Sequence, residues 1–199
     1  MNYDIENAYK AQGYAAICGI DEAGRGPLAG PVFAAGVILP AGLEEIGLND
    51  SKKLSEKKRE QLFDVIREKA VAYGIGSASE KEIDDLNILN ATFLAMKRAV
   101  EALSVVPDLA LVDGNRSPGT GVPEVTIVKG DAKSISIAAA SVLAKVSRDR
   151  YLLELDRQYP EYLFRQHKGY PTRLHYEMIK KHGVSPVHRR SFLKTLDRH

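Results

Sequence analysis

Ala15-Ala16-Ile17-Cys18-Gly19-Ile20-Asp21-Glu22-Ala23-Gly24-Arg25-Gly26 is an apolar, β-prone run that ends in two adjacent acids and a glycine-flanked arginine. Short apolar runs bounded by turn residues read as buried strands, so residues 14–21 are predicted to form one. Residues 31–39, Pro31-Val32-Phe33-Ala34-Ala35-Gly36-Val37-Ile38-Leu39, repeat the pattern beyond a glycine-rich stretch, and the two runs are predicted to pair. Adjacent carboxylates repel each other unless a cation lies between them. Successive strand residues also point to opposite faces, so Asp21 and Glu22 are expected to act together only if the strand ends or bulges at Glu22. Gly24, Arg25 and Gly26 supply permissive backbone for such a break.

Outward from this stretch, Ser55 is predicted to cap a helix over Lys58 that runs to about residue 70, with Leu62, Val65 and Ile66 on one face. Residues 71–77 read as a third strand, 88–103 as an amphipathic helix, 109–112 as a fully apolar strand stopping at Asp113, and 124–128 as a further strand. A long helix is predicted over 133–158 with Ser134 as cap, and another over 172–181 ended by Gly183 in the left-handed region. Strands first, then alternating helices and strands, then helices alone indicate an α/β domain with a mixed sheet. The 199 residues are read as one domain, of which about 160–199 is a helical C-terminal extension.

With 44% hydrophobic and 27% charged residues the composition is that of a globular protein, and no apolar run approaches the ~20 residues of a membrane span. Met1-Asn2-Tyr3-Asp4-Ile5-Glu6-Asn7 has neither the basic nor the apolar region of a secretory signal. The lone Cys18 sits in an apolar run and reads as core, so a reducing cytoplasm is expected; the sequence leaves oligomeric state open, with a monomer as the default expectation. Net charge is only +2, but from Lys145 onward 13 Lys or Arg face 6 Asp or Glu (+7), leaving 15 against 20 (−5) before it. A basic C-terminal third suits phosphates and an acidic front suits metal-binding carboxylates, although segregation of solvated charges would look the same.

Asp21 and Asp113 both close apolar strands, where α/β sheets collect ligands, and Asp149 lies on or beside the apolar stripe of the long helix. Each has a plainer reading: Asp113-Gly114 as a turn, Asp149 as a partner for Lys145, Arg148 or Arg150. Acids without clustered His or Cys suit hard cations such as Mg²⁺. His167, His175, His182, His188 and His199 contain no HExxH pattern and are read as surface or phosphate-side residues.

Five segments together resemble ribonuclease HII, the prokaryotic type 2 ribonuclease H: Gly19-Ile20-Asp21-Glu22-Ala23-Gly24-Arg25-Gly26-Pro27, Asp50-Ser51-Lys52-Lys53-Leu54, Leu111-Val112-Asp113-Gly114, the run from Ser136 to Val146 with Arg148-Asp149, and Lys168-Gly169-Tyr170-Pro171-Thr172. The likeness spans residues 17–192. It implies a ribonuclease H-like fold, a mixed five-stranded sheet flanked by helices with a helical C-terminal extension. It assigns catalytic metal binding to Asp21, Glu22, Asp113 and Asp149, with Asp21 shared between two Mg²⁺ or Mn²⁺ ions. The implied reaction is hydrolysis of RNA in RNA–DNA hybrids, and cleavage 5′ to single ribonucleotides embedded in DNA, leaving 3′-hydroxyl and 5′-phosphate ends.

By the same resemblance the backbone of Gly24, Arg25 and Gly26 approaches the ribose, and Tyr170 donates to its 2′-hydroxyl, the group that separates RNA from DNA. Lys52, Lys53 and Lys145 would hold phosphates. An exposed turn aromatic and solvated helix faces are the plainer readings of Tyr170 and the lysines. The related ribonuclease HIII usually has Lys at the Arg25 position, Glu at the Asp149 position and an added N-terminal domain, so the short leader before Ile17 points to the HII type. A transposase-like or exonucleolytic enzyme of the same fold, and a non-catalytic hybrid-binding module, are the alternatives.

Overall fold

Five strands form one mixed sheet in the order β3-β2-β1-β4-β5: β1 (Ile17–Ala23), β2 (Val32–Ile38), β3 (Ala72–Ala78), β4 (Leu109–Asp113) and β5 (Glu124–Ile127). The computed structural model describes residues 1–48 and 53–194. Lys52, with its neighbours Asp50 and Ser51, and His199 lie outside the described residues. β1 runs antiparallel to β2 and parallel to β4, and β5 continues parallel to β4. The carboxyl ends of β1 and β4 therefore open side by side at one edge, where ligands gather in such sheets.

The pleat sorts β1 between two helical layers. Cys18 and Ile20 face α4 (Ile88–Glu101) and join Ala34, Ala95 and Ala99 in one core; the other face is covered by α5 (Ile135–Gln158) and α2 (Glu56–Lys69). Gly19 lies on the α5 side, where a Cβ would stand 2.1 Å from the Ser136 carbonyl carbon, so the helix backbone rests directly on the strand. Ser134 caps α5 by accepting from the Ile137 amide at 3.2 Å, and Ser55 caps α2 from the Lys58 amide at 3.2 Å. The first ten residues of α5, 135–144, are all buried, so this helix has no single apolar stripe there.

Two short helices escape the sequence pattern. α1 (Asp4–Lys10) buries Glu6, which accepts from Ser134 Oγ at 2.6 Å and the Ser136 amide at 3.0 Å, an acid set against the positive end of α5. α3 (Glu80–Leu86) buries only Ile83, too little for a period to register, and is defined by its capping box of Ser79 and Glu82. α6 (Phe164–His167) and α7 (Arg173–His182) follow α5; Thr172 caps α7, and Gly183 after it has φ 82° but ψ −178°, outside the left-handed region expected there.

The C-terminal part is sewn to the β1–β2 connection. The Leu28 amide donates to Gly169 at 2.7 Å, Gly30 to Val187 at 2.9 Å, and Arg189 to Leu28 at 2.8 Å. The histidines do not lie mainly at the surface or phosphate side as their sequence suggested: His167, His175 and His188 are buried, with His182 alone of the described four exposed. A neutral imidazole with both nitrogens partnered loses little on burial; His167 stacks on His175, and the rings meet Phe164 edge-on or tilted.

Candidate active site

A cleft of about 330 Å³ at the carboxyl ends of β1 and β4 is lined by Asp21, Glu22, Asp113, Gly24–Gly26 and, from other elements, Arg59, Ser141, Lys145 and Tyr170. Asp21 and Glu22 reach it without the strand break that the alternation argument required. β1 pairs regularly with β2 through Glu22↔Ala34 and Ala23↔Phe33, so there is no bulge at Glu22. On its other side, β1–β4 pairing ends at Ile20↔Val112. Beyond that point β1 protrudes past its neighbour, and the cleft straddles the sheet end. Asp21 points toward α5, where the Ser141 hydroxyl donates to it; Glu22 points toward α4 and also borders an adjoining hollow with Thr92, Phe93 and Met96.

These carboxylates are under electrostatic stress. Burial, then the charges of Glu22 and Asp113, raise the Asp21 carboxyl well above its ordinary value. Burial also raises Glu22, against the Arg25 guanidinium, whose Nη1 lies 3.6 Å from Glu22 Oε1. Asp113 Oδ1 accepts from the Gly130 amide at 2.6 Å. Asp149 stands one turn beyond Lys145 on α5; it is buried and paired with the Lys145 ammonium at 2.8 Å. It does not line the cleft, whereas Lys145 does.

The strand stops at Gly24, whose φ of +93° and proximity to Arg148 exclude other residues: a Cβ would meet Arg148 Nε at 2.1 Å. The loop that follows hangs on two fully buried guanidiniums. Arg189 donates to the carbonyls of Gly24 (2.6 Å), Arg25 (3.0 Å) and Gly30 (2.8 Å). Arg148 donates to Ala29 (3.0 Å), Pro31 (3.3 Å) and Lys168 (3.0 Å). Across the loop, the Tyr170 ring is 38% exposed, with Lys145 Nζ and Arg148 Cζ at 5.9 and 5.7 Å from its centroid.

The structure thus gathers Asp21, Glu22, Asp113, Gly24, Arg25, Gly26, Lys145 and Tyr170 around one space. Asp149 sits beside it, and Lys53 is exposed elsewhere. Sequence reasoning missed Ser141, Arg59, Arg148 and Arg189 as parts of the site. Ser141, Lys145 and Asp149 follow at i, i+4 and i+8 on α5, a spacing that could have exposed Ser141. Arg189, in an Arg-Arg pair near the chain end, carries no such signal.

Among the described residues no three His, Cys, Asp or Glu side chains are already drawn together closely enough to hold a metal ion. The donor set nevertheless fits a hard divalent cation: three carboxylates lining one cleft, all oxygen donors, with the charge of Asp113 raising the proton affinity of both Asp21 and Glu22. A cleft of this chemistry on this sheet defines a divalent-metal-dependent nuclease of the ribonuclease H class. The family described as Ribonuclease HII matches residues 18–195. Ribonuclease HII of Clostridioides difficile is 56% identical over 192 residues, 96% of this chain and 75% of that one. Ribonuclease HII of Caldicellulosiruptor bescii is 53% identical over 194 residues, 98% of this chain and 94% of that one. The crystal structure of ribonuclease H2 from Pyrococcus horikoshii superposes with a TM-score of 0.76 at 28% identity, covering 92% of this chain and 96% of that chain. The chain belongs to the ribonuclease HII family and is a hydrolytic endoribonuclease acting on RNA–DNA hybrids.

Proposed function

We propose that this enzyme cuts on the 5′ side of single ribonucleotides embedded in duplex DNA, as well as within longer hybrids, leaving 3′-hydroxyl and 5′-phosphate ends. The observation that carries this reading is the common cleft, lined both by the carboxylates Asp21, Glu22 and Asp113 and by Tyr170 with Gly24–Gly26. Asp21, Glu22 and Asp113 would hold Mg²⁺ or Mn²⁺, with Asp149 as fourth acid once Lys145 turns to a phosphate. Two such ions would supply Lewis acidity to the attacking water and to the leaving oxygen.

The chain's own groups position the substrate. Lys145 and Arg59 face the cleft as cations for backbone phosphates, and the exposed Lys53, with Lys52, would extend that contact along the duplex. Tyr170 presents a hydroxyl to the ribose, and the Gly24–Gly26 backbone allows the sugar to approach where side chains would bar it. No helix among the described residues is long and apolar enough to cross a membrane, and we read the enzyme as a cytoplasmic monomer in ribonucleotide repair.

The test is cleavage of a duplex carrying one ribonucleotide, in Mn²⁺ or Mg²⁺, with the cut mapped to the nucleotide. A single incision 5′ to the ribonucleotide is expected. An intact duplex alongside degraded all-DNA ends would instead mark an exonuclease of the same fold. Tyr170→Phe is expected to reduce preference for the ribonucleotide junction more than affinity for the duplex.

A further inference from the structure

The buried histidines form a directed chain that ends on Tyr170. The Ser185 amide approaches His188 Nδ1 at 3.0 Å, and His188 Nε2 lies 3.0 Å from His175 Nε2. His175 Nδ1 in turn lies 3.0 Å from the Tyr170 carbonyl oxygen. An amide can only donate, so His188 Nδ1 accepts and its proton resides on Nε2. His175 Nε2 must then accept, which puts the His175 proton on Nδ1, aimed at Tyr170. Each link fixes the next.

A second imidazole supports the same turn. His167 stacks on His175 at 4.1 Å between centroids, accepts from the Gly169 amide at Nδ1 (3.1 Å), and bonds through Nε2 to the Tyr162 carbonyl (2.8 Å). Tyr170, by contrast, is 38% exposed, and Lys145 Nζ and Arg148 Cζ lie 5.9 and 5.7 Å from its ring centroid, which leaves the backbone turn that carries it as a principal anchor. That backbone is held by the imidazoles together with the turn bonds from Tyr170 to His167 (2.9 Å) and from Thr172 to Tyr170 (2.8 Å).

We propose that His175 is a positioning residue for ribose recognition: its Nδ1–H holds the Tyr170 carbonyl, and the Ser185–His188 pair selects the only His175 tautomer able to do so. The inference rests on Tyr170 being the ribose-facing group. Burial keeps the chain uncharged at neutral pH, with His175 pushed down to about 3 and His188 to about 4. A charged His175 would set two donors against each other across the 3.0 Å Nε2–Nε2 link, and a charged His188 would set its Nδ1–H against the Ser185 amide 3.0 Å away.

Two substitutions separate positioning from mere packing. His175→Asn keeps a short amide donor near the Nδ1 position and gives up the link to His188; His175→Gln reaches the Nε2 position and gives up the bond to Tyr170. Both variants are expected to lose stability. His175→Asn should keep kcat on the one-ribonucleotide duplex within about threefold of the parent, while His175→Gln should lose roughly tenfold in kcat, about one hydrogen bond's worth, with KM little changed. Equal loss in both, scaling with stability, overturns the proposal.

Long-range ¹H–¹⁵N spectra of the unsubstituted protein read the tautomers directly, whatever the variants do. His188 is expected as the Nε2–H form and His175 as the Nδ1–H form; the reverse at His175 overturns the proposal. In 3-fluorotyrosine-labelled protein, the ¹⁹F signal assigned by Tyr170→Phe should move in His175→Gln and stay in His175→Asn. An unmoved signal in His175→Gln overturns the positioning, whereas full ribonucleotide preference in Tyr170→Phe overturns the ribose-facing role of Tyr170 instead.

Discussion

The guanidinium of Arg189 donates through Nη2 to the carbonyl of Gly24 at 2.6 Å, joining residues 165 apart in the chain. Its remaining nitrogens take the carbonyls of Arg25 and Gly30, so one buried side chain from near the C-terminus shapes the loop that closes β1. Burial and the charge of Arg148 lower its pKa to about 9, and Glu80 lies close enough to offset part of that repulsion. The C-terminal segment is thereby part of the cleft's frame.

Arg189→Lys is expected to fail as a conservative change, because a single ammonium cannot satisfy three divergent carbonyls. Leaving buried acceptors unpaired should destabilise the protein by about 3 kcal/mol, read as a lowered urea midpoint. Cleavage should fall further than the folded fraction does. Retention of both stability and activity would remove Arg189 from the frame.

Gly24→Ala and Gly42→Ala provide a matched pair. Both glycines have positive φ, +93° and +84°, but only at Gly24 does an added Cβ meet a neighbour, Arg148 Nε at 2.1 Å, whereas Gly42 faces open space. Gly42→Ala should cost about 1 kcal/mol from backbone strain alone. Gly24→Ala should cost several times more and abolish cleavage, as measured by thermal melting and hybrid hydrolysis.

With Asp21 as the proposed ligand shared between the metal ions, Asp21→Asn should remove cleavage by roughly three orders of magnitude, the loss of several kcal/mol of metal-borne stabilisation. In chelator, however, the variant should melt no lower than the parent. Burial, Glu22 and Asp113 hold the Asp21 carboxyl above its ordinary value, so the charged form disfavours the metal-free fold at neutral pH. Added Mn²⁺ should raise the melting temperature of the parent more than that of the variant. Unfolding of Asp21→Asn in chelator would count against this account.

The pH dependence has a definite sign for His175. Its folded pKa of about 3 lies below its ordinary 6.5, so between these values the unfolded chain binds the extra proton and stability falls as pH is lowered. Between pH 6 and 4 the slope in the parent should exceed that in His175→Asn by about 1.4 kcal/mol per pH unit. Urea titrations at pH 7, 6, 5 and 4 measure it. Equal slopes would mean that His175 takes up its proton alike in both states.

The order of elements was legible because it is written in local signals. Apolar runs ending at Asp21 and Asp113 marked β1 and β4, and Ser55 and Ser134 announced their helices through side chains that serve the next turn. The same local signal misled at Glu22: alternation seemed to demand a broken strand, yet the strand is regular and the cleft wraps around its end. Where β4 stops relative to β1 is a matter of register between distant segments, and no spacing within either strand records it.

By itself the sequence determined which acids could meet a cation and which loop lay beside them, since strand ends and glycine turns are properties of neighbouring residues. Only the tertiary structure decided that Arg189 and Arg148 carry that loop and that His175 and His188 lie buried behind Tyr170. His175 meets His188 across 13 residues, and Arg189 meets Gly24 across 165. A buried charge or imidazole is tolerated only where donors and acceptors from separate segments converge on it, and that convergence exists only in the folded chain.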